Sequence, residues 1–344
     1  MRITPDVLTR MLQAQGTLLK QSVLKDVQEV DVFSGQADRI VRLQLTSSDG
    51  TTRSVIAKIF GPEWYTGSGL PELRFYQSIA PHMPDIPVPS LLGAHHDPET
   101  STAVLLIEDL GAEFELVSLP VASFWLEKLT EVLCKMHSRW WSHQDLNAPG
   151  FLVPETGVTR MPQALDQAGL AIHVRAARDA LDRFLHLHRS DLTGQDVILL
   201  KRLSDAWPEK FAARTLSGQH LTLLHGDLHL LGNVFVPRSD PAKGLRIIDW
   251  TQAKRGLGPH DLMYMLLGAE SENRRERDLI YLQQYHAGLI QGGVEGYAWE
   301  QCLWDFRFSI LTNLWQSIFQ GSLRWLRHTL EVVQVWEARE LLDP

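Results

Sequence analysis

Cysteine is almost absent from this sequence, which has only Cys134 and Cys302 among its 344 residues. The two lie far apart, each inside an apolar pattern with helical spacing. Two isolated cysteines exclude a disulfide framework and a cysteine-based zinc site. The composition therefore favours a protein of a reducing compartment.

Long hydrophobic runs are missing as well. No apolar run approaches the roughly 18 residues that a helix needs to cross a bilayer. The first residues, Met1 to Asp6, lack the charged-then-apolar order of a signal peptide. We therefore expect a cytoplasmic protein without membrane contact. The sequence also contains no internal repeat and no low-complexity segment.

The sequence has no excess of positive charge, since 33 Lys and Arg face 41 Asp and Glu and the net charge is −8. A field of this sign repels phosphate backbones, so it argues against a nucleic-acid partner and mildly favours a cationic small substrate. Hydrophobic residues make up 44% of the chain, which is typical of a packed globular protein. The length suits two domains, or one domain with two lobes.

The first third of the chain has the pattern of an antiparallel sheet. Apolar and polar residues alternate over 41–46, turn residues follow at 47–50, and a second strand is predicted over 55–60. On that second strand Lys58 shares a face with Ile56 and Phe60, because side chains two apart point the same way. A lysine at such a position is unusual.

One helix and two more strands follow. Pro71 fits the first position of a helix, with Glu72 in its first turn, after the Gly/Pro/Ser-rich stretch 61–69. Strands are predicted over 90–94 and 102–107. Beyond residue 111 apolar residues recur at helical spacing, so the remainder is predicted to be mainly helical.

The segment that indicates chemistry runs from Leu224 to Val234, with a second motif over 247–250. It contains Asp227 and Asn233, and Asp249 lies sixteen positions after the asparagine. Two carboxylates and a carboxamide near the ends of short strands offer the oxygen ligands that suit Mg²⁺ and its attached phosphates. One of the two acids would then be free to act as a base.

These two motifs, in this order and at this separation, resemble the aminoglycoside phosphotransferase and choline kinase family. The resemblance implies an α+β, bilobal, protein-kinase-like fold, in which an antiparallel sheet with one helix precedes a mainly helical lobe. It also implies an ATP- and Mg²⁺-dependent small-molecule kinase that phosphorylates a hydroxyl group of an aminoglycoside-, choline- or other alcohol-type acceptor. The C-terminal helices look more like those of the ecdysteroid-kinase-like branch than those of a resistance enzyme.

The family resemblance assigns a role to each residue of the two motifs. Asp227 is the base that deprotonates the acceptor, and Asn233 and Asp249 hold magnesium. His225 braces the loop. Asp261 supports the loop as well, although the sequence pattern alone makes it a helix N-cap before 262–267.

The N-terminal part resembles the nucleotide-binding lobe of the family. The resemblance implies that Lys58 contacts the nucleotide phosphates and that Glu72 is its ion-pair partner. Ser34 and Gly35, in the turn 34–37, would belong to the loop over the phosphates.

Residues 105–110 resemble the hinge between the lobes, so the lobes are expected to span 1–109 and 110–344. At this hinge the backbone carbonyl of Glu108 and the backbone N–H of Leu110 would meet the adenine.

One departure from the family leaves an alternative open. The family asparagine usually follows the aspartate by five positions, whereas Asn233 follows Asp227 by six. Gly232 can absorb the extra residue if it adopts a backbone conformation closed to other residues. If it does not, Asn233 misses the metal, and the chain is a pseudokinase that binds nucleotide or acts as a scaffold.

The sequence leaves a zinc hydrolase as a further alternative and disfavours a protein kinase. His225, His229 and Asp249 would form the site of a zinc hydrolase, although Gly226 disrupts the helical geometry that such histidine pairs need. A protein kinase is disfavoured, because the stretch from Asp249 to Asp261 is too short for an activation loop.

The C-terminal helices contain candidate contacts to the acceptor. The family binds its acceptor among these helices, which makes Trp304, Asp305 and Trp315 candidates. Aromatic faces can recognise quaternary ammonium groups such as that of choline. A stripe of aromatic residues at helical spacing is nevertheless more often core.

Overall fold

The computed structural model describes residues 4–35, 37–147, 166–269 and 272–343. The first part of the chain contains most of the strands. Its helices and strands are α1 Pro5–Ala14, β1 Leu24–Phe33, β2 Arg39–Ser47, β3 Thr52–Phe60, α2 Pro62–Trp64, α3 Leu70–Arg74, β4 Leu91–Asp97, β5 Thr102–Glu108 and β6 Phe114–Leu116.

The second part is mainly helical. Its helices and strands are α4 Ser123–Arg139, α5 Gln167–His188, α6 Gly194–Thr215, β7 Thr222–Leu224, α7 Leu230–Asn233, β8 Val234–Pro237, β9 Arg246–Ile247, β10 Lys254–Gly256, α8 Pro259–Leu267, α9 Arg274–Gln291, α10 Trp299–Phe319 and α11 Leu323–Val335. Short 3₁₀ helices cover Ala80–His82, Gln144–Asn147, Arg189–Asp191, Pro241–Lys243, Trp250–Gln252 and Ala338–Leu342.

The predicted hairpin is confirmed as part of a five-stranded antiparallel sheet with the order β1-β2-β3-β5-β4. Alternation along the strands gives the sheet two different faces. On one face Val41, Leu43 and Val55 are buried in a core that α1 completes with Leu8 and Leu12. The alternate residues of β2, β3 and β5, among them Lys58, lie on the opposite face.

The helix that contains Glu72 begins earlier than the sequence predicts. Helical backbone starts at Pro62 and passes through a π-helical segment, Tyr65–Gly69, into α3. The prediction that the helix starts at Pro71 was wrong. Glycine in the preceding stretch allows close packing and does not interrupt the helical backbone. A Cβ at Gly69 would lie 2.6 Å from Cγ of Phe60, so only glycine allows the segment to lie this close to β3.

The chain divides into two compact units, and both are built from separate segments. The first comprises Met1–Val117 and Gly232–Ala253, and the second comprises Ser118–Leu231 and Lys254–Pro344. Segment 232–253 belongs with the first unit because β8 pairs with β6 and with β9. A single boundary at residue 109 would instead assign β6, β8 and β9 to the second lobe.

The second unit is organised around α10. Residues around the whole circumference of this helix are buried, and it packs against α8 and α11. Its core includes the large side chains of Trp207, Tyr285 and Trp315. The short strands β7 and β10 pair antiparallel in the same unit. Among the helices of the described residues, none has both the length and the apolar composition that crossing a bilayer requires.

Candidate active site

The first unit contains a cavity of about 620 Å³ against the sheet face opposite α1. Side chains of β2, β3 and β5 form one part of its wall, and the segment from Gly232 to Asp249 forms another. The lining is apolar over much of its extent, and its charged members are Arg42, Lys58, Glu108, Asp109, Glu115, Arg238 and Asp249. The apolar members are Phe33, Ile40, Ile56, Pro89, Ile107, Leu110, Phe114, Leu116, Phe235 and Ile248.

Lys58 and Glu72 form the ion pair that the family resemblance predicted. The Lys58 Nζ lies 2.7 Å and 2.8 Å from the two carboxylate oxygens of Glu72. A second carboxylate, that of Asp249, has its Oδ1 3.6 Å from the same nitrogen. Burial alone would lower the pKa of Lys58, but the negative charges of Glu72 and Asp249 outweigh it and raise that pKa above its ordinary value. The ammonium group is therefore kept charged.

Glu72 also holds the segment that follows Asp249. The backbone N–H of Trp250 donates to Glu72 Oε1 over 3.3 Å. The Trp250 ring stacks on Phe75, with ring centres 4.0 Å apart and planes 6° from parallel. The helix that carries Glu72 is thus fixed to the second motif by one hydrogen bond and one ring stack. Neither contact was predicted, because they join residues about 175 positions apart.

Asn233 and Asp249 lie next to each other in the chain fold, as the magnesium hypothesis requires. The backbone N–H of Ile248 donates to the carbonyl of Asn233 over 2.9 Å, and both Asn233 and Asp249 line the cavity. Asp249 has a left-handed backbone with φ of +63°, and its Oδ1 accepts a hydrogen bond from Thr251. A carboxylate and a carboxamide oxygen facing one cavity suit a hard cation such as Mg²⁺.

The extra residue between Asp227 and Asn233 is accommodated by a helical turn. Gly232 lies inside α7, Leu230–Asn233. The glycine of this loop with a positive φ is Gly226, at +80°. The expectation that Gly232 would adopt a conformation closed to other residues was therefore wrong, because one turn of helix takes up the additional length.

The loop that carries Asp227 lies in the second unit and is held by Asp261. The Asp261 carboxylate accepts the backbone N–H groups of His225 over 2.7 Å and Gly226 over 2.9 Å. It also contacts His137 Nε2 at 3.4 Å. Burial opposes ionisation of Asp261, but the hydrogen bond and charge of His137, with smaller contributions from other histidines, lower its pKa to about 2.

This position matches the loop support that the resemblance implied for Asp261. The N-cap interpretation was wrong, because α8 already begins at Pro259 and its N-cap residue is Gly258. Asp261 is the third residue of the helix, where its side chain reaches back to the loop.

His225 braces the same loop, in agreement with the role that the resemblance gave it. Its Nδ1 accepts the backbone N–H of Asp227 over 3.2 Å, and the side chain is fully buried. The side chain of Asp227 receives a hydrogen bond from Gln316 Nε2 over 3.3 Å. Gln316 was not predicted, since it follows Asp227 by 89 positions and no motif marks it.

The zinc hypothesis has no support in the structure. Across the described ranges of the chain, no three His, Cys, Asp or Glu side chains are grouped so that they could hold a metal ion. The Nδ1 of His225 is already engaged with the backbone of its own loop.

The remaining predicted nucleotide contacts all line the cavity. Ser34 and Gly35 lie between β1 and β2, and Glu108 and Leu110 lie at the end of β5. Gln36, in the middle of the predicted phosphate loop, lies outside the described residues. The Glu108 carboxylate accepts hydrogen bonds from the backbone and the hydroxyl of Ser90, which fixes this end of the strand.

A polar network just after β5 was not predicted. Asp109 accepts hydrogen bonds from Arg42 Nε over 2.8 Å, Ser54 Oγ over 2.5 Å and the backbone of Gly111 over 3.0 Å. Burial opposes ionisation of Asp109, yet these donors and the charge of Arg42 lower its pKa. Arg42 also lines the cavity, so the network ties the segment after β5 to β2. The alternation of β2 places Arg42 on the cavity face and is the one signal that pointed to it.

The acceptor candidates of the C-terminal helices need a correction. Asp305 is fully buried and accepts two hydrogen bonds of 2.7 Å from Arg214 and one of 2.7 Å from the Tyr297 hydroxyl. Trp315 is fully buried and packs edge-on against Trp207. Both are core residues, so neither presents a surface to an acceptor. Trp304 is partly exposed and stacks on Phe308.

Comparisons with known proteins give a family and a set of structural neighbours. The model of the phosphotransferase enzyme family matches residues 32–301. No curated protein matches the chain. Among solved structures, amicoumacin kinase hAmiN in complex with AMP-PNP, Ca²⁺ and Ami is similar, with a TM-score of 0.54 at 15% identity over 92% of this chain and 88% of that one.

Two further neighbours have different acceptors in their names. The choline kinase LicA from Streptococcus pneumoniae has a TM-score of 0.51 at 11% identity, over 94% of this chain and 97% of its own. The GDP complex of an aminoglycoside 2'-phosphotransferase IIIa mutant has a TM-score of 0.51 at 12% identity, over 98% of both chains. At these identities the likeness shows the fold.

The fold class predicted from the sequence is confirmed. One unit has an antiparallel sheet with a helical segment, the other is mainly helical, and the neighbours with this architecture are kinases. Since the family model spans well over half of the sequence, the chain belongs to the phosphotransferase enzyme family and has its protein-kinase-like fold.

Proposed function

We propose that this protein is an ATP- and Mg²⁺-dependent kinase that transfers the γ-phosphoryl group to a hydroxyl group of a small molecule. The observation that carries the proposal is the buried Lys58–Glu72 ion pair, with Asp249 3.6 Å from Lys58 and with Asn233 in the lining of the same cavity. A buried cation and hard oxygen ligands facing one cavity are what nucleotide phosphates with a magnesium ion require.

The cavity suits a nucleotide in size and in lining. Its volume of about 620 Å³ falls within the range of small-molecule sites, roughly 300–1,000 Å³. Its isoleucine and phenylalanine side chains offer faces for a planar base. Glu108 and Leu110 would then supply the backbone contacts to the adenine edge, and Ser34 and Gly35 would cover the phosphates. One neighbour is a complex with AMP-PNP and another is a complex with GDP, which supports a nucleotide as the occupant of this cavity.

Asn233 and Asp249 are the residues that would hold magnesium. The ion, when bound, neutralises the charge that develops on the phosphates during transfer. Lys58 places a further positive charge against the phosphates, and Glu72 fixes the direction of its side chain. The contact of Lys58 with Asp249 links the cation to the metal ligands.

Asp227 acts as the base of the reaction. It accepts the proton of the acceptor hydroxyl as the hydroxyl oxygen bonds to the γ-phosphorus and the bond to the ADP oxygen breaks. The loop fixes Asp227 through two backbone contacts to Asp261 and through the ring of His225. The backbone of Asp227 thus has a defined position before the substrates bind.

The acceptor is proposed as a small alcohol, and the overall negative charge favours a cationic one such as an aminoglycoside or a choline-type compound. The neighbours named after amicoumacin, choline and aminoglycosides support this breadth. The pseudokinase alternative rested on the additional loop residue. Asn233 lies in α7 and lines the cavity with Asp249, which supports the kinase over this alternative.

The test is ADP release from ATP and Mg²⁺ against a panel of aminoglycosides, choline, amino alcohols, sugars and sterols. Wild-type protein is expected to respond to at least one class, and Asp227→Asn is expected to lose that response. The buried substitution Ser317→Ala serves as a control for damage to the helical unit. Acceptor-dependent ADP release that persists in Asp227→Asn would refute the proposal.

A further inference from the structure

We propose that Gln316 is a positioning residue that holds the carboxylate of Asp227 in its reactive orientation. This inference rests on the proposed function, because it assigns Asp227 the role of the base. It adds a residue from α10, outside both sequence motifs, to the residues that prepare the reaction.

The geometry around the Gln316 amide supports one orientation. Its Nε2 lies 3.3 Å from Asp227 Oδ1 and 2.7 Å from the Tyr264 hydroxyl oxygen. An amide nitrogen carries two hydrogens, and these two neighbours take one each. An ionised carboxylate can only accept, so the nitrogen of the amide, and not its oxygen, must face Asp227.

Burial makes this arrangement rigid. Gln316 is 2% exposed in the middle of α10, and Tyr264 is 4% exposed on α8. The Tyr264 ring packs against Trp325 at 5.7 Å and against His229 at 6.4 Å between ring centres. Within the described residues the Gln316 Oε1 has no hydrogen-bond partner, so burial and the two contacts of Nε2 are what restrict rotation of the amide.

The helix α8 controls both the backbone and the side chain of Asp227. Asp261 on this helix holds the loop through the N–H groups of His225 and Gly226. Three residues later, Tyr264 holds the amide of Gln316. The base is therefore restrained from two directions by one helix, and Gln316 carries the restraint on the carboxylate.

A donor to Asp227 has a chemical consequence for the proposed reaction. It limits rotation of the carboxylate, which improves alignment with the acceptor hydroxyl. The other titratable groups around this position are His225, His229 and Asp261. Burial lowers the pKa of His229, and the negative charge of Asp227 opposes that shift.

The first experiment is steady-state kinetics of Gln316→Met with the acceptor identified by ADP release. Methionine keeps the volume and removes the donor. We expect kcat to fall about tenfold with the KM for ATP unchanged, because the carboxylate of Asp227 is no longer held in one orientation towards the acceptor hydroxyl. Tyr264→Phe, which frees the amide, is expected to change the same quantities by less.

The control is Ser317→Ala, the neighbouring buried residue on the same helix. Equal kcat values for Gln316→Met and Ser317→Ala would overturn the inference. If Gln316→Met does not fold, Tyr264→Phe carries the test, and an unchanged kcat in that variant has the same meaning.

A second experiment separates this inference from the proposed function, because it needs no acceptor. The thermal midpoints of Gln316→Met, Asp227→Ala and the double variant form a cycle. The two substitutions are expected to be non-additive, since each removes the same contact. Additive effects overturn the inference even if the protein is a kinase, whereas absence of ADP release across the panel overturns the proposed function.

Discussion

At the scale of single residues, the site depends on charges that are buried and matched. Lys58 is 8% exposed in its side chain and Glu72 is fully buried, so neither charge is solvated. Removing one partner of such a pair leaves the other uncompensated, which costs more than removing both. Substitutions can therefore separate the contribution of this pair to the stability of the protein from its contribution to activity.

We predict that Lys58→Met destabilises the protein by about 3–5 kcal/mol, because the Glu72 carboxylate then lies buried without a cation. The double variant Lys58→Met/Glu72→Leu should recover much of this stability and none of the ADP release. Denaturant unfolding and ADP release, measured on the same preparations, check both parts. Equal destabilisation in the single and the double variant would contradict the assignment of a buried ion pair.

The buried side chain of His260 is expected to make the free energy of unfolding depend on pH. Burial lowers its pKa from 6.5 to about 4, with the positive charge of Lys254 acting in the same direction. The unfolded chain takes up this proton from about pH 6.5 downward and the folded protein does not. The free energy of unfolding therefore decreases as the pH falls from 6.5 to 4, by on the order of 3 kcal/mol.

Unfolding of wild-type protein and of His260→Phe at several pH values between 7 and 4 measures this contribution. The difference between the two proteins should grow as the pH falls, because phenylalanine cannot take up a proton in the unfolded state. Parallel pH dependences would show that His260 does not contribute.

The sequence predicted those site residues that a local pattern in their own segment marks. Lys58 was recognisable because the period of two put a charge on the face of Ile56 and Phe60. Asp305 was misjudged because its partner Arg214 lies 91 positions earlier, so nothing near it in the sequence signals a buried ion pair. Gln316 was missed for the same reason, since its partners are on other elements.

At the scale of elements, the loop from His225 to Asn233 combines one glycine in a left-handed backbone conformation with one turn of helix. Gly226 has a φ of +80°, and its N–H donates to Asp261. Gly232 lies in α7. The two glycines of this loop thus differ in backbone conformation, which is left-handed at Gly226 and helical at Gly232.

We predict that Gly226→Ala destabilises the protein by about 1–2 kcal/mol through its left-handed backbone. Gly232→Ala should carry no such penalty, because alanine favours helical backbone. Thermal unfolding of the two variants gives the comparison. A larger loss for Gly232→Ala than for Gly226→Ala would contradict the helical turn.

The strands of the sheet were predictable because alternation and turn residues mark them locally. The helical run 62–82 was predicted only from Pro71, since Gly67 and Gly69 suggested a loop. Gly69 is explained by its approach to Phe60, a tertiary contact that no local pattern shows. The division of the chain likewise depends on the pairing of β6 with β8, which joins segments about 120 residues apart.

At the scale of the whole molecule, the cavity and the proposed base, Asp227, belong to different units of the chain. The residues that line the cavity fall within 33–116 and 232–249, which belong to the first unit. Asp227 belongs to the second unit, as do His225, Asp261 and Gln316, which hold it and its loop. Nucleotide binding and proton transfer are therefore expected to respond to different substitutions.

We predict that ATP with Mg²⁺ raises the thermal midpoint of wild-type protein and of Asp227→Asn by the same amount, and that Lys58→Met loses the shift. Binding at a hundred times the Kd stabilises a folded protein by about 2.7 kcal/mol, which such measurements resolve. Omission of Mg²⁺ should reduce the shift, and Asp249→Asn should respond less to the ion. A shift that disappears in Asp227→Asn would contradict the separation of the two functions.

The most direct test of the central claim is transfer of labelled phosphate from [γ-³²P]ATP to the acceptor found by ADP release, with the product identified by mass. Wild-type protein and Ser317→Ala are predicted to form a phosphorylated acceptor in a Mg²⁺-dependent manner, and Asp227→Asn is predicted to form none. Labelled inorganic phosphate without labelled acceptor, or equal transfer by Asp227→Asn, would contradict the account.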